Sequence, residues 1–370
     1  MKSIKMIHVS EPDLSGNELN YVKDCVQSGW ISSIGKYVTR FEENFSSYIG
    51  CKYGIAVHNG TIALHLALAS LNIGIGDEVI VPTLSFAATA NAVLYTGAVP
   101  VLVDVENNTW NIDSNLVEQA ISERTKAIIP VHLYGLPCDM DKILDIARQY
   151  NLYVIEDAAE AHGAEYKNTK VGSFGDVGCF SFFGNKILTT GEGGMCLVNN
   201  KNLANRMAKL RDHGMSKVNK YWHDEIGFNY RMTNLQAAVG CAQLERIEEF
   251  INKKKEIASW YTELLHDLES IELPFEAQYA KSSFWLFSIL LKNIYHINLK
   301  DKLLLKLKDV GIETRPLFYP LHKMPPYKQD GKFDNAEYIS RCGFSLPSGV
   351  TLIYQDVEYI CYNLRKILAT

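Results

Sequence analysis

Along the first two thirds of the chain, short apolar runs alternate with longer segments whose apolar positions recur every three or four residues. Gly54–Val57, Glu78–Val81, Val99–Val103, Ala127–His132, Leu152–Ile155, Val177–Phe182 and Met195–Val198 have the length and continuity of buried strands. Ile62–Leu71, Ala87–Thr96, Ser114–Ile121, Met140–Tyr150 and Asn202–Leu210 have helical periodicity. This alternation predicts βαβ units, and so an α/β fold with a mostly parallel sheet between helical layers.

The flanking regions read differently. Residues 1 to about 30 predict an arm and a helix, with Ser15 as cap, Glu18 at capping-box spacing and a stop near Ser28-Gly29. Asn234 to Lys255 predict one long helix with Leu235, Ala238, Val239, Ala242, Leu244 and Ile247 on one side. From about residue 251 the pattern changes to a charged helix, an apolar strand within 282–291 and a helix near 300–310. A Pro-rich loop at 315–326 and a last helix near 355–368 follow. We therefore expect a large domain over 1–250 and a small α+β domain over 251–370. The run Lys253-Lys254-Lys255 reads as a solvated helix face.

The 370 residues suffice for two such domains. Hydrophobic content of 47% and charged content of 21% are those of a soluble enzyme. A net charge of −5 argues against general affinity for nucleic acid or anionic membrane. The eight cysteines are never closer than 17 positions (Cys179 and Cys196), so no Cys-x-x-Cys site exists and no metal is expected. They read as buried free thiols of a reducing compartment. The N-terminus lacks the apolar stretch of a signal peptide, and the most apolar window, Phe284–Leu291, is too short to span a bilayer. A soluble, cytoplasmic protein is expected.

Three features carry candidate chemistry. Lys186 follows the apolar run Cys179–Phe183 and a Gly-Asn turn, and precedes a Gly-rich segment. There it is either a surface lysine with a buried stem, or a desolvated amine whose lowered pKa suits attack on a carbonyl. Asp157 stands 29 positions earlier (186 minus 157), at the end of the run Leu152–Ile155 and beside Glu156. It either caps a following helix or holds a protonated ring nitrogen at a strand's carboxyl end. A lysine with such an acid is the pair that pyridoxal phosphate requires. Asn59-Gly60-Thr61 joins a strand to an Ala/Leu-rich helix, either a plain junction or a phosphate cradle of free N–H groups. Ser181 and Asn229 are further candidate phosphate ligands.

Taken together, "VHNGTIALHLAL", "GDEVIVPTLSFAATANAV", "VHLYGLPCDM", "VIEDAAEAHGA", "SFFGNKILTTGEGG" and "GFNYRMTNLQAAVGCAQLERI" resemble the DegT/DnrJ/EryC1/StrS sugar aminotransferases. The segments keep family order from about residue 8 to the C-terminus. The resemblance implies the aspartate-aminotransferase (type I pyridoxal phosphate) fold, and amino transfer from glutamate to a nucleotide-linked keto-sugar. It implies that Lys186 forms the Schiff base and shuttles the proton, that Asp157 pairs with the ring nitrogen, and that Phe86 stacks on the ring. Gly60, Thr61 and Ser181 would bind the phosphate, joined by Asn229 from the partner subunit of a homodimer with shared sites. Glu160 stands where many members have glutamine, near the ring hydroxyl. Arg231 is a structural partner at that interface or a substrate contact, and His162 a structural residue or a ligand contact.

For the sugar nucleotide, the expected residues are Trp30, Ser32, Tyr221, His223, Arg315, Tyr319 and His322. The tract "TRPLFYPLH" offers a guanidinium beside aromatic surfaces, or else a rigid loop with core aromatics. "KYWHDEIGFNYRMTNL" and "ETRPLFYPLHKMPPY" resemble members that aminate the C4 ketone of GDP-linked 4-keto-6-deoxymannose. The alternatives are a UDP- or dTDP-linked keto-sugar with a C3 or C4 ketone, a dehydratase, or a non-catalytic binding protein of the same fold. Some dehydratases of the family carry histidine in place of the lysine, so Lys186 favours transamination.

Overall fold

The computed structural model describes residues 6–216, 218–292 and 299–369, so residues 1–5 of the expected arm lie outside the described residues. In the first two hundred residues the strands are β1 (Tyr53–Val57), β2 (Glu78–Pro82), β3 (Val99–Val103), β4 (Thr125–Ile128), β5 (Tyr153–Asp157), the two-residue β6 (Glu165–Tyr166) and β7 (Thr169–Lys170), β8 (Val177–Ser181) and β9 (Gly194–Val198). The helices are α1 (Glu18–Ser28), α2 (Lys36–Ile49), α3 (Gly60–Ser70), α4 (Ala88–Tyr95), α5 (Ser114–Gln119), α6 (Met140–Tyr150) and α7 (Lys201–Arg211). Seven strands form one sheet in the order β1-β9-β8-β5-β4-β2-β3. The sheet is mostly parallel, as the alternation predicts. The exception is β9, antiparallel to both β1 and β8, because it follows β8 through a short hairpin rather than a helix. All the other strands point the same way, so their carboxyl ends share one sheet edge.

Helix α3 is apolar around its whole circumference and buried between the sheet and α4 and α7. Helix α2 escapes the sequence reading, although Tyr37, Val38, Phe41, Phe45 and Ile49 bury one face of it. The expected cap of α1 is corrected. Asn17 occupies the N-cap position, while the Ser15 hydroxyl accepts from Arg246 and Glu18 is buried against Gln243.

The single long helix expected after residue 234 divides into α8 (Asn234–Glu245) and α9 (Ile247–Leu265). Arg246, at φ −114° and ψ 9°, breaks it and turns its guanidinium to Asp13 and Glu249. Thr233 and Gln236 form a capping box at the start of α8. Beyond α9 come β10 (Ile271–Glu272), β11 (Ala280–Lys281), β12 (Phe287–Leu291), α10 (Leu299–Asp309), β13 (Arg315–Pro316), α11 (Asp334–Cys342), β14 (Gly343–Leu346) and α12 (Tyr354–Leu368). A second sheet, β10-β12-β14-β13, packs on α9, α10 and α12 around Tyr261, Phe287, Ile289, Phe344 and Ile360. A third small sheet, β11-β6-β7, joins chain segments far apart in sequence.

The reading of Lys253-Lys254-Lys255 as solvated is overturned in part: Lys254 is 2% exposed. All eight cysteines are buried and free. Among the described residues no helix is long and apolar enough to cross a membrane.

Candidate active site

The shared carboxyl edge of the strands gathers the candidate groups. Strand alternation sends the two acids of β5 to different neighbours. Glu156 is buried, accepts from the N–H groups of Gly172 (2.7 Å), Phe174 (2.7 Å) and Gly175 (2.8 Å), and lies 3.1 Å from His132 Nε2. It fixes a loop. Asp157 accepts at Oδ2 from the Thr89 hydroxyl (2.8 Å) and at Oδ1 from Ala159 N–H (3.2 Å). No helix follows it, so the helix-cap reading fails. Burial raises its carboxyl pKa; the Thr89 and Ala159 hydrogen bonds and the charges of Lys186 and His132 oppose that rise.

Lys186 sits in the hairpin connection between β8 and β9. Its N–H closes a turn on Phe183, and around it the Phe182 carbonyl accepts from Thr190 N–H and from the Thr189 hydroxyl. Its side chain is 11% exposed, and Nζ lies 3.6 Å from Glu160 Oε1 and 3.7 Å from the centre of the Trp285 ring. Burial lowers the ammonium pKa; Glu160 and Asp157 oppose this, and the positive charge of Arg315 adds to it. Glu160 is itself buried, accepts from Tyr134 N–H (2.9 Å), and has its pKa raised by burial against the pull of Lys186. The structure thus brings Lys186, Asp157 and Glu160 into one electrostatic cluster.

The wall beside them is aromatic. Phe86, 59% exposed, approaches Phe318 (5.8 Å), which stacks on Tyr134 (5.4 Å, 21°), which stacks in turn on Trp285 (6.1 Å, 13°). Gly60 begins α3 hard against Ser181: a Cβ there would stand 2.6 Å from Ser181 Cβ. The Asn59 side chain already takes Ile62 N–H, leaving the first turn of α3, with Gly60 and Thr61, as a donor end beside the Ser181 hydroxyl. These residues suit the cofactor that the resemblance implies. A buried acid without a cation in direct contact suits a protonated ring nitrogen. A helix end that excludes a side chain suits a phosphate, an exposed aromatic face suits a ring, and an amine of lowered pKa suits an aldehyde.

The other expected residues fall into two groups. Arg315 pairs through its backbone on β13, but its guanidinium forms no hydrogen bond or ion pair among the described residues, and Tyr319, four positions on, is exposed. Trp30, Ser32, Tyr221, His223 and Asn229 are exposed. The backbone carbonyls of Trp30 and Ser32 accept from Asn234, His223 Nδ1 meets the His213 carbonyl, and Asn229 Oδ1 accepts from Arg231. None of these bonds reaches Lys186, Asp157 or Glu160. A surface cavity of about 580 Å³ beside them, lined by Ser33, Ile34, Lys209, Asp212 and Lys220 among others, also contains none of the cluster. Arg231 pairs with Asp212 (2.9 Å).

Two histidines are corrected. His162 has no exposed surface; it is enclosed by Phe45, Phe180 and Phe182, and burial pushes its pKa down to about 3. It presents nothing to a ligand. His322 is buried and stacked on Phe333, with Nδ1 on Thr83 Oγ1 (2.8 Å) and Nε2 on Glu337 (3.2 Å), so both nitrogens are taken. Sequence reasoning missed Ser85 and Thr89, whose hydroxyls lie 2.9 Å apart and lead to Asp157. Their i, i+4 spacing across the start of α4, after a strand end, was the available signal. It also missed Tyr134 and Trp285, for which no local signal exists.

Comparison with known proteins agrees with this fold. The model of the DegT/DnrJ/EryC1/StrS aminotransferase family matches residues 12–365. A GDP-perosamine synthase of Caulobacter vibrioides is 46% identical over 372 residues, covering 100% of both chains. One of Escherichia coli O157:H7 is 46% identical over 364 residues, covering 98% of this chain and 99% of its own. Among solved structures, a putative sugar aminotransferase of Streptococcus pneumoniae in its PLP form superposes with a TM-score of 0.92 at 28% identity, covering 98% of each chain.

Proposed function

Because the chain belongs to the DegT/DnrJ/EryC1/StrS aminotransferase family, we propose that it moves an amino group from glutamate to the C4 ketone of GDP-4-keto-6-deoxymannose, giving GDP-perosamine. The chain is an aminotransferase, and its cofactor is pyridoxal phosphate. The observation that carries the proposal is the buried contact of Lys186 with Glu160 at 3.6 Å, beside Asp157. Full-length identity to synthases of that product supports the substrate.

The bound cofactor supplies an electron sink through its ring nitrogen. In this reading Asp157 holds that nitrogen, kept anionic by Thr89 and Ala159 against the pull of burial. Phe86 covers the ring. Gly60, Thr61 and Ser181 hold the phosphate. Lys186 Nζ, its ammonium disfavoured by burial, would carry the proton of the 1,3-shift, from the carbon on one side of the transferred nitrogen to the carbon on the other. Glu160, 3.6 Å away, orients the amine and stabilises its charged form while it carries the proton. Arg315 receives the diphosphate, with Tyr319 beside it.

The reading includes a cytoplasmic homodimer of chains each divided near residue 250. Ile34, Val218, Tyr221, Trp222 and Ile226 are exposed, Val218 by 89% and Ile226 by 93%, an apolar surface that a second copy would cover. Trp30, Ser32, Tyr221, His223 and Asn229 would then enter the partner's site, which accounts for their lack of contact with Lys186 within one chain.

Two experiments test this. Borohydride reduction of the holoenzyme and peptide mapping should place the pyridoxyl group on Lys186; a tag on another lysine would refute the site. A panel of 4-keto-6-deoxy nucleotide sugars with glutamate should show preference for the GDP-linked mannose derivative. Preference for a UDP- or dTDP-linked sugar would overturn the substrate and leave the reaction class standing.

A further inference from the structure

Lys254 lies in the middle of α9, 2% exposed, and among the described residues no carboxylate neutralises it. Its Nζ donates to the carbonyls of Trp285 (2.9 Å) and Ser348 (2.5 Å), and burial pushes its pKa down to about 7. A buried ammonium is costly, and a hydrocarbon of similar volume fills such a space at less cost. What Lys254 holds explains its presence. The Trp285 ring lies 3.7 Å from Lys186 Nζ, and its indole N–H donates to the Asn185 carbonyl (2.8 Å). Ser348 N–H donates to the Val9 carbonyl (2.9 Å), and the next residue, Ser10, donates from its hydroxyl to the same Asn185 carbonyl (3.2 Å). The two carbonyls that Lys254 ties thus belong to the two groups that converge on the peptide just before Lys186.

We propose that Lys254 is a positioning residue for amino transfer: by holding the carbonyls of Trp285 and Ser348, it fixes the indole against Lys186 and fixes the Asn185–Lys186 turn. This rests on the reading that Lys186 is the reactive amine. The charged groups facing Lys186 are Glu160, Asp157 and Arg315, with the neutral rings of Trp285 and His162. Lys253 and Glu256, on the helix that carries Lys254, pair with each other. Burial is the largest cause of the lowered Lys186 pKa, and the indole covers its amine. A slack indole admits water, and renewed solvation of the ammonium outweighs the lost cation–π attraction.

The test is competitive acetylation of the apoenzyme across pH, with the Lys186 peptide read by mass spectrometry. In Lys254→Met, the Lys186 midpoint should rise by about half a unit or more. Trp285→Leu should raise it similarly, and the double variant no further, since both act through one contact. A cooperatively folding Lys254→Met protein with the wild-type midpoint would overturn the proposal. Should Lys254→Met not fold, Trp285→Leu decides: an unmoved midpoint overturns the proposal and a raised one supports it. The labelling needs no cofactor, so a pyridoxyl tag found elsewhere would sink the role of Lys186 without altering this readout.

Discussion

Replacing Arg315 with glutamine tests two consequences of its position at once. The guanidinium has no partner among the described residues, yet its charge is felt at both Lys186 and Tyr134. In a chain of net charge −5, an anionic diphosphate needs such a local cation. Loss of one charge-assisted contact costs about 1.5–3 kcal/mol. At about 1.4 kcal/mol per decade, that is roughly a ten- to hundred-fold fall in kcat/KM for the keto-sugar. The glutamate half-reaction, followed through the cofactor absorbance, should change much less. The second consequence concerns Lys186. Arg315 disfavours its ammonium, so removing that charge must raise the Lys186 pKa, and at fixed pH less of the amine is neutral. Single-turnover measurements of each half-reaction across pH separate the two effects. If the variant cripples the glutamate half-reaction and spares the sugar, Arg315 has been given to the wrong substrate. If the Lys186 limb does not move to higher pH, its charge does not reach the amine as argued.

Gly60→Ala places a Cβ 2.6 Å from Ser181 Cβ, and neither atom can swing away. An overpacking cost of about 1–3 kcal/mol should appear as weaker pyridoxal phosphate binding, about tenfold or more, and unchanged affinity would remove Gly60 from the cradle. Mixing Lys186→Ala with Asn229→Ala subunits should restore activity, because one site of each mixed dimer regains both residues; mixed dimers without activity would contradict a shared site. For His162 the folded pKa of about 3 lies below the ordinary 6.5, so the unfolded chain takes up a proton that the folded one refuses. Stability therefore falls as pH drops from 6.5 toward 3, by about 1.4 kcal/mol per unit from this group. His162→Leu should flatten that limb of the thermal melting profile, and an equally steep limb would place the acid sensitivity elsewhere.

What the sequence shows is what depends on local pattern. Continuous apolar runs gave every strand of the large sheet to within a few residues, because strands buried on both faces leave that mark. Lys186 and Asp157 were legible because each sits where a buried strand ends. The reversed direction of β9 was not, since a hairpin and a crossover differ in what lies between two strands and not in the strands. The break at Arg246 depends on Asp13, more than two hundred positions away. His162 and His322 show the commonest error. A histidine beside candidate residues looks available, and only the fold reveals that one is walled in by three phenylalanines and the other has both nitrogens engaged. Trp285 matters through a contact across 100 positions, beyond any local signal, and Thr89 through one across 68 that only its spacing from Ser85 could have hinted at.

The two buried lysines make the same point in one residue type. Lys186 and Lys254 are both desolvated, and burial lowers the pKa of both. Depressed basicity therefore does not by itself mark the reactive amine. The difference lies in their surroundings. Lys254 donates to two carbonyls, is 2% exposed, and among the described residues has no acid to exchange a proton with. Lys186 keeps 11% of its side chain exposed, stands 3.6 Å from a carboxylate whose own pKa is raised, and meets the Trp285 end of the aromatic row that runs through Tyr134 and Phe318 to the exposed Phe86. A proton on its Nζ has both somewhere to go and something to act on. The sequence marks each lysine by its flanking residues, turn and Gly-rich segment for one, a run of charge for the other. Those flanks single out Lys186, which the fold does bury beside two acids, and misread Lys254, because helix α9 turns one lysine of three inward, and its partners are carbonyls, which every sequence contains and none displays.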